Sequence, residues 1–262
     1  MIGSRGQKYA LYASGELLLV VVGILIALQV NNWNEERIEQ RQLAQYAIGL
    51  ISDLERDIKM LEPISEQMRK RLEEVDALST YTYGKTLNQI NNLDLWLLTR
   101  PLGYRPYQWN RTAMEQLKSA GALRKITNTE LAEKITAYEA LTQHLDEDYR
   151  VDQSVIEEAS NFRDLIVDTN FLEDEHFTSI ADDNSDLPID AKLSMWREKY
   201  KGPQLPLLTD DINDVKILVN KYGKYNVLRA RVQGEIPRLK RMAEDLIRLL
   251  ADEYSIGEHD RR

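Results

Sequence analysis

The chain has no cysteine, and among its 262 residues there are only three histidines, three phenylalanines, seven prolines and twelve glycines. Without cysteine there is no disulfide, no thiolate-bound metal, no iron–sulfur cluster and no cysteine nucleophile. Three histidines leave little room for a histidine-based metal site, so we expect neither a metal nor a cofactor. The scarcity of glycine, proline and phenylalanine argues against a sheet protein.

The charge balance bears on the class of partner. The chain carries 34 Lys and Arg against 43 Asp and Glu, a formal net charge of −9. Non-specific nucleic-acid binding needs clustered cations that displace counterions from phosphates. We therefore expect no nucleic acid among the partners.

One long apolar run lies near the amino terminus of this otherwise hydrophilic chain. Residues 17–30 contain a single polar side chain, Gln29, and residues 9–30 contain a single charge, Glu16. As a helix, residues 9–30 would measure roughly 33 Å, against a bilayer hydrocarbon core of about 30 Å. Tyrosines at its start and Trp33 after its end suit the two membrane interfaces. The pattern predicts a transmembrane helix.

A cleaved signal peptide is the alternative interpretation of the same run. Residues 27–33 contain no small-x-small cleavage site, which favours an uncleaved anchor. Arg5 and Lys8 precede the run and Arg37 and Arg41 follow it, so only the terminal amine biases the orientation. We predict a cytoplasmic amino terminus and a body on the other side of the membrane.

Two stretches carry a resemblance to a known family. Residues 8–37, KYALYASGELLLVVVGILIALQVNNWNEER, resemble the opening of an uncharacterised bacterial family of single-pass membrane proteins, with its Tyr-Ala-x-Gly-Glu start and Ala-Leu-Gln-x-Asn-Asn-Trp-Asn-Glu end. Residues 117–138 are similar to a second, weaker signature of that group. The resemblance implies a membrane-anchored protein with a helical extracytoplasmic domain, and it implies no activity. We expect the anchor in the bacterial inner membrane and the body in the periplasm.

Helical periodicity dominates the rest of the chain. Apolar residues recur every three or four positions from Leu43 to Leu78, with an average spacing typical of bundles and coiled coils. No Gly or Pro occurs between Ala27 and Ile48, so the membrane helix should continue into a stalk, with Pro63 kinking or restarting it. A capping box at residues 127–130 should open a second long helix, whose stripe falters between Tyr149 and Val155 and suggests a break there.

The regions between the long helices are less regular. We predict short helices at about 86–99, 110–120 and 189–200, with Gly121 as the C′ residue of the second. Gly223, Gly234 and Pro237 should kink the last long helix.

These patterns predict an all-α fold, in which an amino-terminal transmembrane helix continues into a long stalk helix with an antiparallel helical bundle. The predicted segments are a cytoplasmic tail (1–8), a transmembrane anchor (9–33), a helical bundle domain (34–254) and a polar tail (255–262). Within the bundle we expect a stalk helix (34–78), an irregular aromatic region (79–126), a long helix (127–167), an acidic loop region (168–208) and a long helix (209–254).

Candidate binding residues lie in two places. In the membrane segment, Glu16 is a candidate charge partner, although it lies close enough to the interface to be solvated. Helix packing could use the small-residue face and the amide there: Gly15, Gly23, Ala27 and Gln29. In the aromatic region, four side chains could line a groove or pack as the cap of the bundle: Trp96, Tyr104, Tyr107 and Trp109.

No motif indicates metal chemistry or catalysis. Residues 182–186 begin like an EF-hand loop, but Leu187 and Leu193 occupy the positions that need Gly and Glu. His144 with Asp148 one turn later is interpreted as surface charge, because two ligands do not make a site.

We therefore expect a non-enzymatic scaffold or interaction protein anchored in the membrane, acting as a homo-oligomer or with a membrane or periplasmic partner. The alternative is an extracytoplasmic sensor or ligand-binding bundle that acts through a membrane partner.

Overall fold

A computed structural model of the chain describes residues 3–100, 103–170, 187–202 and 204–257, with side chains described from Glu16 onward. The described residues form helices and turns and contain no strand, which confirms the all-α prediction.

The first helix, α1 (Gly3–Thr82), has 80 residues and is therefore about 120 Å long. It joins the apolar run to the stalk without interruption, and it also continues through Pro63, so the prediction of a restart there is wrong. Leu61 and Ile64, which flank the proline, are almost fully buried. Their packing offsets the one backbone hydrogen bond that proline removes.

The chain descends along α1 after a turn at its far end. A 3₁₀ turn (Leu87–Gln89) and α2 (Asn92–Thr99) follow α1. Residues 103–111 then run back along α1 as an extended segment. Two amide groups fix this segment: Arg105 N donates to Gln67 Oε1 (3.1 Å), and Asn110 N donates to Asp57 Oδ1 (2.9 Å).

The descent ends in α3 (Thr112–Ser119) and a 3₁₀ turn (Ala122–Lys125). Gly121 has a φ of +64°, which confirms its prediction as the C′ residue of α3. Close packing on α1 depends on Gly49, because a Cβ there would lie 3.2 Å from the Ala113 Cβ.

The second long helix, α4 (Thr129–Arg163), begins one residue later than the predicted capping box requires. Asn128 is the N-cap residue, and its side chain accepts a hydrogen bond from the Leu131 amide (3.2 Å). The prediction that Thr127 caps this helix is therefore wrong, since the neighbouring asparagine takes the role equally well. The suggested break after Tyr149 is also wrong: α4 is continuous there.

The carboxyl-terminal third is divided more finely than the sequence suggests. Helix α5 (Ile189–Lys199) matches the predicted short helix, and α6 (Ile212–Gly223) starts the last helical region. Its remaining elements are a 3₁₀ turn (Lys224–Val227), α7 (Leu228–Ala230), a π-helical turn (Arg231–Glu235) and α8 (Ile236–Glu253).

Ion pairs between neighbouring helices show the topology of the bundle. Glu62 of α1 pairs with Lys240 of α8, and Asp76 of α1 pairs with Arg229 of α7. The last helical region therefore runs antiparallel to α1. Lys118 of α3 pairs with Glu139 and Arg111 pairs with Asp146, so α4 rises beside the descending segment. The bundle is thus up, down, up and down. Its core on α1 begins at Leu43, and the first part of α1 projects beyond it.

Candidate functional site

The first candidate site is the part of α1 that projects from the bundle. Every described side chain from Glu16 to Ile38 is exposed, including Leu19 at 76% and Trp33 at 62%. Such a continuous apolar surface is not stable in water and marks a membrane or protein contact. Helix α1 is long and apolar enough to cross a membrane, and none of its apolar stretch is buried against the bundle.

The predicted packing residues all lie on this projecting segment. Glu16, Ala27 and Gln29 are exposed, and nothing lies within 4 Å of the position a Cβ would take on Gly23. Gly23 and Ala27 share one helix face because they are four residues apart. Gly15 is helical, but its surroundings lie outside the described side chains. The bundle therefore leaves the small-residue face open.

A cleft lies at the base of the bundle, where the projecting segment begins. Trp33, Arg37 and Arg41 follow one another along one face of α1, and Tyr254 closes the cleft after the last helix. Aromatic and basic side chains together suit the headgroup region of a bilayer.

The predicted groove aromatics separate into two groups. Tyr104 and Tyr107 meet Tyr149 of α4, with ring centroids 5.2 Å and 6.5 Å from that of Tyr149. Trp109 stacks on Tyr107, with ring centroids 5.0 Å apart. Trp96 lies elsewhere, with its centroid 6.0 Å from that of Trp196.

The larger of these groups is part of the core. Tyr104 and Tyr107 are only 4% and 8% exposed. The Tyr104 hydroxyl donates to Asp152 Oδ2 (2.8 Å), and Trp109 Nε1 donates to Asp146 Oδ1 (2.8 Å). This arrangement favours packing over an open groove.

A buried ion cluster adjoins these aromatics. The Arg231 guanidinium, 7% exposed, lies 2.9 Å from Asp148 Oδ2, 3.0 Å from Glu235 Oε1 and 3.6 Å from Asp152 Oδ2. Arg231 and Glu235 are the two ends of the π-helical turn, an element often found at functional positions. Three carboxylates therefore share one guanidinium.

Sequence reasoning missed this cluster. The only signal was the gap in the apolar stripe between Tyr149 and Val155, which Asp152 fills as a buried residue (3% exposed). Burial would lower the pKa of Arg231, but the three surrounding carboxylates raise it. Burial raises the pKa of Asp148, while Arg231 and then His144 oppose that increase. The arginine thus opposes the effect of burial on the pKa of Asp148.

His144 lies at the edge of the same cluster. Its Nε2 is 3.3 Å from Asp148 Oδ2 and 3.9 Å from Glu235 Oε1, and the three ligand atoms lie within 4.8 Å of one another. Glu235 is thus a third potential metal ligand that the spacing of His144 and Asp148 did not reveal. Arg231 already pairs with both carboxylates and would compete with a metal ion. The EF-hand-like residues 182–186 lie outside the described residues.

The tip of the bundle, at the far end of α1, carries an open cavity of about 850 Å³. Thr82 and Lys85 line one side of it, and Ile212, Val215 and Lys216 of α6 line the other. Tyr83 at its rim is 89% exposed. The cavity has an apolar wall and a polar rim, a combination that suits a small ligand or a partner side chain.

Comparison with known proteins adds one finding. Residues 16–100, which include most of α1 and all of α2, match the model of a family described as "Family of unknown function (DUF6090)". No curated protein and no solved structure matches the chain. The chain is thus similar, over its amino-terminal part, to an uncharacterised family.

Proposed function

We propose that the protein is a non-enzymatic helical scaffold or interaction protein, anchored in the bacterial inner membrane by α1. Its amino terminus lies in the cytoplasm and its bundle in the periplasm. The observation that carries the proposal is the exposed apolar segment of α1, which is continuous with the helix that organises the bundle.

Length and flanking residues support the anchor. Residues 16–33 of α1 extend about 27 Å, close to the hydrocarbon thickness of a bilayer. Trp33, Arg37 and Tyr254 lie where this segment meets the bundle, as expected for side chains at the headgroup level. Because α1 does not break between the anchor and the bundle, the bundle would stand on the membrane as a rigid body.

The interior supports a structural role. Among the described residues, the buried charges are arranged in networks within the bundle: Arg231 with its carboxylates, and Asp57 with Asn110 and Tyr138. Such networks hold elements in register. The surface left open for a partner lies along the anchor, where Gly23 and Ala27 would permit close helix packing in a homo-oligomer.

Labelling of single cysteines tests the topology directly, because the natural chain contains no cysteine to remove. Tyr83→Cys places a thiol on an exposed side chain at the tip, and Ser4→Cys places one before the apolar run. In spheroplasts, an impermeant maleimide should label Tyr83→Cys at once and Ser4→Cys only after the membrane is permeabilised. The reverse pattern would overturn the orientation, and release of the protein by carbonate would overturn the anchor.

Mass measurement in detergent tests self-association. If the small-residue face joins copies of the chain, Gly23→Ile should dissociate the oligomer seen by light scattering. Val21→Ile adds a methyl group on the opposite helix face and should leave the mass unchanged. Equal masses for both variants and the natural protein would exclude this face as the contact.

The tip cavity favours a second candidate function, a sensor or ligand-binding bundle that acts through a membrane partner. The far end of α1 lines the cavity, and the same helix continues to the apolar segment. A ligand that shifted this end could thus move the anchor. Filling the cavity with Val219→Trp should abolish any thermal shift that a ligand causes, while Trp substitution of exposed Val151 should not.

A further inference from the structure

A second, smaller cavity lies between α1, α2 and α5, and none of its lining residues lines the tip cavity or belongs to the Arg231 cluster. It measures about 120 Å³. Four cationic side chains line it, together with a single carboxylate: Lys70, Arg71, Arg100, Lys192 and Glu74. In a chain with a net charge of −9, this concentration of positive charge creates a local field that attracts anions.

Glu74 holds two of the cations in place. Its carboxylate accepts hydrogen bonds from Arg71 Nη1 (2.6 Å) and Arg100 Nη2 (3.0 Å), and Glu74 is only 4% exposed. One buried carboxylate thus orients two guanidinium groups and neutralises only one of their charges. Two planar guanidinium groups held in this way are pre-organised to bind a second oxyanion.

Two donors in the cavity are still available to a ligand. Arg71 Nε is buried and has no hydrogen-bond partner. The side chain of Lys192 makes no ion pair or hydrogen bond with the residues that the structure describes. A buried charged donor without an acceptor is costly, so an anion that accepted from Arg71 Nε would stabilise the folded state.

We propose that this cavity binds a phosphate group, with Arg71 Nε and the Lys192 ammonium as its donors. Helix α5 contributes further, because its first residue, Ile189, lines the cavity and its N-cap is Pro188, which has no side chain that can cap. The positive end of the helix macrodipole therefore lies at the site.

The position along α1 indicates the source of the phosphate. Arg71 is about 57 Å along the helix from Trp33, where the anchor ends, at 1.5 Å per residue. Lipid headgroups of the same bilayer cannot reach that far. The ligand is therefore a soluble phosphate or phosphorylated small molecule. This inference goes beyond the proposed function and does not depend on which side of the membrane holds the bundle.

Calorimetry on the full-length protein in phosphatidylcholine nanodiscs tests the site, with inorganic phosphate titrated at constant ionic strength. Phosphate should bind with a Kd below about 1 mM and should raise the melting temperature. Loss of one charge-assisted hydrogen bond should weaken binding about ten-fold or more in Lys192→Gln. Arg71→Lys keeps a cation for Glu74 but removes the Nε donor, and it should weaken binding similarly.

The control is Lys134→Gln, which makes the same charge change at an exposed pair on α4 and should bind phosphate as the natural protein does. Absence of saturable binding, or equal affinity in Lys192→Gln and Lys134→Gln, would overturn the proposal. Phosphatidylglycerol vesicles provide the lipid arm of the test. Capture by these vesicles that Lys192→Gln abolishes, in a protein that binds no free phosphate, would also overturn it.

Discussion

Replacing Arg231 with methionine should destabilise the bundle strongly, although methionine occupies a similar volume. The change would leave Asp148, Asp152 and Glu235 facing one another without their shared cation. Removing one partner of a buried ion pair costs about 3 to 5 kcal/mol. Asp148 and Glu235 keep side-chain exposures of 16% and 24%, so part of their hydration remains. We therefore expect a loss of about 3 kcal/mol.

The loss should depend on pH in a defined direction. Burial already raises the pKa of Asp148 in the folded protein, and Arg231 is the first of the groups that oppose the increase. In Arg231→Met the pKa of Asp148 should therefore be higher still. When folding raises the pKa of a carboxyl group, the folded protein becomes more stable as the pH falls through that pKa. The destabilisation should thus be smaller at pH 5 than at pH 7.5.

Urea unfolding of the full-length protein in detergent, followed by circular dichroism, measures both effects. In thermal unfolding at pH 7.5, the same loss of about 3 kcal/mol corresponds to a fall in Tm of about 6–12 °C. Arg248→Met is the matched control, because its side chain is 70% exposed beside Asp245, and it should cost less than about 0.5 kcal/mol. Equal stability of the two variants, or a larger loss for Arg231→Met at pH 5, would refute the reasoning.

Three further predictions concern helix ends and close packing, each measured by urea unfolding. Asn128→Ala should cost about 1 kcal/mol because it removes the cap of α4, while Thr127→Ala should cost almost nothing; the opposite order would restore the capping box. Gly121→Ala should cost about 1 kcal/mol, because Gly121 has a φ of +64°. Gly223→Ala should instead stabilise the protein by about 0.5 kcal/mol, because nothing lies within 4 Å of the added Cβ. Equal effects of the two substitutions would contradict this prediction. Gly49→Leu should cost about 1 to 3 kcal/mol by pushing α3 off α1, and a neutral result would count against that contact.

Local patterns predicted the helices well. The apolar spacing from Leu43 to Leu78 is a property of one segment. It predicted the stalk helix because apolar side chains on one helix face are buried together. Gly121 was placed correctly as the C′ residue because a left-handed residue after a helix is a local requirement. The fold class and most helix positions were therefore available without a structure.

Features that depend on contacts between distant segments were not available. The sequence identified the aromatic residues but not that Trp96 lies apart from Tyr104 and Tyr107. It suggested a break where Asp152 lies, because a carboxylate interrupts an apolar stripe, and nothing local shows that Tyr104 and Arg231 surround that carboxylate.

The sequence by itself determined that this protein is helical and has an apolar segment long enough to span a membrane, because both properties follow from periodicity and composition along one stretch of chain. Only the tertiary structure decided that three carboxylates surround Arg231 and that Pro63 does not interrupt α1. The tertiary structure also decided that Lys192 and Arg71 line the same cavity. Each of these is settled by packing against segments far away in the chain, where burial changes the free energy of a charge or of a lost hydrogen bond.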